Sequence, residues 1–122
     1  MRVRNWIVLG IAAFAAGSAV AECEEVGYIA TFEVAAGQEQ AFEAAVLAAA
    51  AKVNEVEEGT IFYAPYKGAD GKYYMMERYR DLAAREAHAK DPEVLEAFGP
   101  LMATLAADIV VVPVAAVCEQ TP

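Results

Sequence analysis

The 122-residue chain carries 18 acidic against 9 basic side chains, a net charge of −9 at neutral pH, which argues against nucleic acid and anionic membrane surfaces as partners. The charges are spread along the chain, the pattern of a solvated surface and not of an acidic interaction tail. Once an amino-terminal leader is set aside, the length suffices for one domain with a modest core and is too short for two.

That leader is read from three features in sequence. Met1-Arg2-Val3-Arg4-Asn5 is a basic head, and residues 6–16 are an apolar run well short of the roughly 20 residues that a membrane span needs. Ala19-Val20-Ala21 then supplies a small-x-small cleavage site. Residues 1–21 are expected to be a signal peptide and residues 22–122 the mature domain, periplasmic or secreted, with no membrane span after cleavage; a retained amino-terminal anchor is the alternative. Loss of Arg2 and Arg4 takes the net charge to −11. The only two cysteines, Cys23 and Cys118, stand at the two ends of the mature chain, and in an oxidising compartment they are expected to form a disulfide. Closing a loop of ~100 residues is worth about 4.7 kcal/mol in the chain-entropy account. Two cysteines so far apart, without histidine neighbours, are a poor metal site, and no metal is expected.

Residues 26–34 are apolar or β-prone and end at Ala35-Ala36-Gly37, which predicts a buried strand and a turn. Phe42, Ala45, Val46, Ala49 and Val53 recur at spacings of three and four, predicting an amphipathic helix over about residues 38–56. Glu57-Glu58-Gly59 ends it. Residues 60–67 and 72–80 then flank a loop with Gly68 and Gly71 at its ends, the signature of a hairpin, and Pro65 assigns the first of these strands to an edge or a bulge. Asp81 is a good helix cap, Asp91-Pro92 a second one, and Gly99-Pro100 predicts a kink before a last helical piece over residues 101–107. Residues 109–117 form a closing strand whose Pro113 again suggests an edge.

The order β-α-β-β-α-β is the split βαβ, or ferredoxin-like, α+β arrangement with an antiparallel sheet. It lays the last strand beside the first, which brings Cys23 towards Cys118. In the strands both faces carry Tyr, Phe, Met or aliphatic residues. A sheet apolar on both faces needs a second cover, and the simplest is an identical sheet, giving a face-to-face homodimer.

The turn Val34-Ala35-Ala36-Gly37-Gln38, the run from Glu57-Glu58-Gly59 to Tyr63-Ala64-Pro65, and the stretch from Met76-Glu77-Arg78-Tyr79 to Glu86-Ala87-His88 together resemble the antibiotic biosynthesis monooxygenase family, most of all its bacterial quinol monooxygenase branch. The resemblance covers residues 26–113. It implies a dimeric α+β barrel with a small-molecule pocket between sheet and helices. It also implies oxidation of a small aromatic (a quinol, phenol or anthrone) by molecular oxygen with no cofactor, the deprotonated substrate acting as reductant. Such chemistry needs an apolar cavity, a group that takes the phenolic proton, and donors near the developing oxyanion.

His88, the only histidine, is the candidate for proton transfer, since an imidazole titrates near neutrality. Tyr28, Tyr63, Tyr66, Tyr74 and Tyr79 are the candidates for hydroxyl donors or stacking partners, with Phe62, Met76, Phe98 and Met102 as apolar wall. Glu77, followed by Arg78 and Arg80, is expected to pair with them as a fold-stabilising carboxylate. Tyr79 stands where relatives often have tryptophan, and Glu93 where a second histidine is common. The iron-ligating histidine of haem-degrading relatives is absent near Phe98, which argues against haem breakdown. The rival expectation is a non-catalytic, ligand-binding or stress-related dimer of the same fold.

Overall fold

A computed structural model of the chain describes residues 24–118. The expected leader and Cys23, and with Cys23 the expected disulfide, lie outside the described residues. The elements follow in the order β1 (Val26–Phe32), α1 (Glu39–Val56), β2 (Thr60–Lys67), β3 (Tyr73–Tyr79), α2 (Leu82–Lys90), α3 (Pro92–Met102) and β4 (Val110–Ala115). The four strands form one antiparallel sheet in the order β2-β3-β1-β4, a ferredoxin-like arrangement. Pro65 and Pro113 fall on the two edge strands, where a missing N–H breaks no ladder.

Local chemistry accounts for the joints. Gly37 and Gly71 adopt φ of 85° and 84°, a conformation that side chains with a Cβ rarely accept, and they turn the chain into α1 and through the hairpin. Asp81 Oδ1 accepts the Ala84 N–H at 2.8 Å to start α2. Asp91 Oδ1 accepts from Glu93 N–H at 3.0 Å and Val94 N–H at 3.5 Å to start α3, with Pro92 at the first helical position.

The register sorts the strand residues into two faces. Tyr28, Ala30 and Phe32 stand opposite Glu77, Met75 and Tyr73, with Tyr63 opposite Glu77 on the other side. This face packs against α1 and α3 through Phe42, Val46, Val53, Val94 and Leu101. Phe42 is the hub, its ring 5.4 Å from Phe32 and 4.6 Å from Tyr73. The outer face carries Ile29, Met76, Val110, Val112 and Val114, and no described helix covers it. Met76 is 43% and Val112 50% exposed, so the protomer leaves this apolar face open.

Boundaries of four elements differ from expectation, and β3 runs only from Tyr73 to Tyr79, one residue shorter at each end than the expected 72–80. β1 stops at Phe32, since Glu33 and Val34 leave the ladder and Val34 pairs with Leu105 instead. β4 is shorter at both ends. α3 runs through Gly99-Pro100 without breaking and ends at Met102. The proline falls so close to the end that only its own backbone bond is lost, and the Thr104 hydroxyl and N–H both cap the Leu101 carbonyl, at 2.7 and 3.0 Å.

Candidate active site

Three segments far apart in sequence meet at the end of the sheet: the α1–β2 turn with Glu57, Gly59 and Thr60; the last residues of β3, Glu77 and Tyr79; and α2 with Arg85 and His88. Gly59 permits the meeting. A Cβ there would lie 2.5 Å from Ala84 Cβ, so only glycine lets α2 approach the turn this closely. The Gly59 carbonyl accepts the Arg80 N–H at 2.8 Å, tying the end of β3 to the same turn.

His88 lies at the centre and is 8% exposed. Its Nδ1 sits 3.0 and 2.9 Å from the two carboxylate oxygens of Glu57, and its Nε2 is 4.0 Å from Glu77 Oε1. Glu57 is itself steadied by the Thr60 hydroxyl, which donates to Oε1 at 2.7 Å. The Tyr79 hydroxyl donates to Glu77 Oε1. Three rings surround the imidazole, with centroids at 5.2 Å for Tyr63, 5.3 Å for Tyr79 and 6.4 Å, edge-on, for Phe98. The Arg85 guanidinium lies 4.7 Å above the Tyr28 ring and 5.9 Å from that of Tyr79, a cation–π contact.

Burial is the dominant electrostatic influence here. It raises the Glu77 carboxyl above its ordinary range, against the opposing pull of the Tyr79 hydrogen bond, His88 and Arg85. Burial first, and the nearby Glu77 charge second, push the Tyr63 and Tyr79 phenols far up, so both remain neutral O–H groups at physiological pH. A cleft of about 490 Å³ opens beside this cluster between the α1–β2 turn and α2, and His88, Glu57, Thr60, Arg80, Asp81 and Asp91 are among its walls.

The structure thus gathers His88 with Tyr63, Tyr79 and Phe98, and brings Tyr28 in through Arg85. It does not gather the rest. Phe62, Tyr66, Tyr74 and Met76 belong to the outer face, because they alternate with Tyr63, Tyr73, Met75 and Glu77 along the strands, and Met102 is 53% exposed at the end of α3. Glu77 does not pair with its basic neighbours. Arg78 points outward to Glu25 and Arg80 lies near Asp81. Two residues of the site carry no distinguishing signal in the sequence: Glu57, which reads as part of a helix stop, and Arg85. Among the described residues no group of three His, Cys, Asp or Glu side chains is placed to hold a metal ion, and no helix is long and apolar enough to cross a membrane.

The profile of the family described as antibiotic biosynthesis monooxygenase matches residues 26–99, from β1 through most of α3. The chain belongs to that family. Among solved structures, a Caulobacter crescentus protein named for the antibiotic biosynthesis monooxygenases is similar at 27% identity, over 77% of this chain and 91% of that one, with a TM-score of 0.72. A Mycobacterium tuberculosis protein is similar at 26% identity over 80% and 99%, with a TM-score of 0.69. A Pseudomonas aeruginosa protein is similar at 25% identity over 78% and 96%, with a TM-score of 0.67. Among curated proteins none matches. Membership in the antibiotic biosynthesis monooxygenases therefore assigns a small-molecule monooxygenase-like fold, and the matched residues 26–99 include the segments that build the His88 site.

Proposed function

We propose that this protein is an exported, cofactor-independent monooxygenase of a small aromatic substrate of the quinol, phenol or anthrone type, working as a homodimer. The observation that carries the reading is His88, buried beside two carboxylates and at the wall of a cleft of about 490 Å³. In an anthrone-type reaction a ring-flanked CH₂ becomes a carbonyl; one atom of oxygen enters the product and the other leaves as water with the two hydrogens. The protein's part is to take the proton that turns the substrate into an electron-rich anion. The neutral Tyr63 and Tyr79 rings flank the imidazole from the sheet side, with the Tyr79 hydroxyl engaged by Glu77.

The leader-like first 21 residues support export to the periplasm or beyond, with a Cys23–Cys118 disulfide suited to that compartment. The open apolar face of the sheet supports a two-fold homodimer. Oxygen uptake with a panel of hydroquinones and anthrones tests the activity. The expected result is turnover by the wild type, lowered about 10²–10⁴-fold in His88→Ala, the range general acid–base catalysis contributes; no turnover, or turnover indifferent to His88→Ala, would refute the catalytic role. One observation favours the rival, a ligand-binding or stress-related dimer without chemistry: apart from His88 the cleft is walled by no aromatic side chain. Ligand binding with oxygen consumption at background is its signature.

A further inference from the structure

We infer that Glu57 is a positioning residue, which accepts the Nδ1–H of His88, fixes the imidazole in the tautomer whose bare nitrogen is Nε2, and so makes Nε2 the atom that takes the substrate proton. The inference rests on the proton-transfer role proposed above and adds which atom performs it and what sets it.

The hydrogen-bonding arithmetic is short. An ionised carboxylate only accepts, and a neutral imidazole has one donor and one acceptor nitrogen. Nδ1 stands within hydrogen-bond distance of both Glu57 oxygens, so the hydrogen belongs on Nδ1. The hydrogen bond that one ring nitrogen makes sets the protonation of the other. Nε2 has no comparable claim on a hydrogen: Glu77 Oε1 is 4.0 Å away and already accepts from the Tyr79 hydroxyl.

The holder is itself fixed. Glu57 closes α1, its backbone N–H donating to the Val53 carbonyl at 3.0 Å, and Thr60 grips its side chain. The side chains of both Glu57 and His88 are nine-tenths buried, so water competes little for Nδ1. The rings of Tyr63, Tyr79 and Phe98 flank the imidazole. The charged groups around His88 are Glu57 from the turn, Glu77 from the sheet and, on its own helix, Arg85 beside the Tyr79 ring, while Glu58, Arg80 and the two caps of that helix, Asp81 and Asp91, share the cleft wall. In the transfer the substrate O–H bond breaks and an Nε2–H bond forms; no electrons change hands, and the resulting imidazolium lies between two carboxylates.

His88 is the sole histidine in the sequence, so ¹⁵N-labelled protein without a histidine tag gives one imidazole pattern in two-bond ¹H–¹⁵N correlation spectra. In spectra recorded from roughly pH 5 to 8, the neutral imidazole should show pyrrole-type Nδ1 and pyridine-type Nε2. In Glu57→Ala the Nε2–H tautomer should replace it, and on any aromatic the wild type oxidises kcat should fall about 10²–10⁴-fold with KM little changed. A wild-type neutral form protonated on Nε2, an imidazolium throughout the range, or a Glu57→Ala protein that keeps either the Nδ1–H tautomer or the wild-type kcat would each overturn the inference. The wild-type spectrum decides the tautomer even where the variant does not fold. If no aromatic is turned over, the catalytic reading fails on its own account while the spectrum still judges Glu57.

Discussion

Glu77 shows how much of this site is set by burial. A carboxyl whose folded value is raised holds a proton that the unfolded chain has already released. Its contribution therefore falls as pH rises from the ordinary value near 4.5 towards the raised one, and is level above that. Glu77→Gln keeps an oxygen to accept the Tyr79 hydroxyl and cannot ionise. Relative to wild type it should gain stability through this window at up to about 1.4 kcal/mol per pH unit, as read from urea denaturation at a series of pH values. A difference between the two proteins that stays constant from acid to neutral pH would contradict the assignment. The sequence held part of this. Alternation along β3 puts Glu77 and Arg78 on opposite faces, which is why the pairing expected from their adjacency does not form. Glu57, by contrast, meets His88 across 31 residues, and nothing local in Glu57-Glu58-Gly59 distinguishes a ligand of an imidazole from a helix stop.

At the scale of elements, the seven segments and their order were legible because each carries its own signal: period two in the strands, spacings of three and four in α1, Asp81 and Asp91-Pro92 as caps. What the signals do not contain is the closeness of approach between elements. Gly59 reads as a helix breaker, yet its structural task is to admit Ala84 of α2. Gly59→Ala should therefore cost about 1–3 kcal/mol, the usual penalty for overpacking, and loosen the Glu57–His88 contact with it. Ala84→Gly alone should cost about 1 kcal/mol as a helix substitution. Combined, the two changes should cost less than their sum by more than ~0.5 kcal/mol, the coupling expected of residues in contact. Additive costs in a denaturation cycle would show that the 2.5 Å approach is not what requires glycine. Asp81→Ala removes the cap of the same helix, and a loss of about 1 kcal/mol is expected in the same measurement.

For the whole molecule the decisive feature is the face the helices leave bare. Apolar residues on both sides of a strand were visible in the sequence, but period two leaves open which set faces the helices, and that ambiguity put Phe62, Tyr66, Tyr74 and Met76 among the site candidates. The register assigns them to the open face with Ile29, Val112 and Val114. If a second copy covers this face, a charge placed at its centre is buried twice across the two-fold axis without a partner, and unpaired buried charge is strongly unfavourable. Met76→Asp combined with Val112→Asp should then weaken self-association on the order of 10²-fold or more, because each 1.4 kcal/mol is tenfold in affinity. The protomer should survive, since both side chains are about half exposed in it and exposed substitutions usually change stability by roughly 0.5 kcal/mol or less. Light scattering on the eluting protein, with circular dichroism as a check on folding, reads both quantities. Leu95→Asp is the control: Leu95 is 57% exposed on α3, on the helical side of the sheet, and its charge should leave the dimer intact. A wild type that elutes as a monomer, or a double variant that remains dimeric, would mean that something other than a second sheet covers the apolar face.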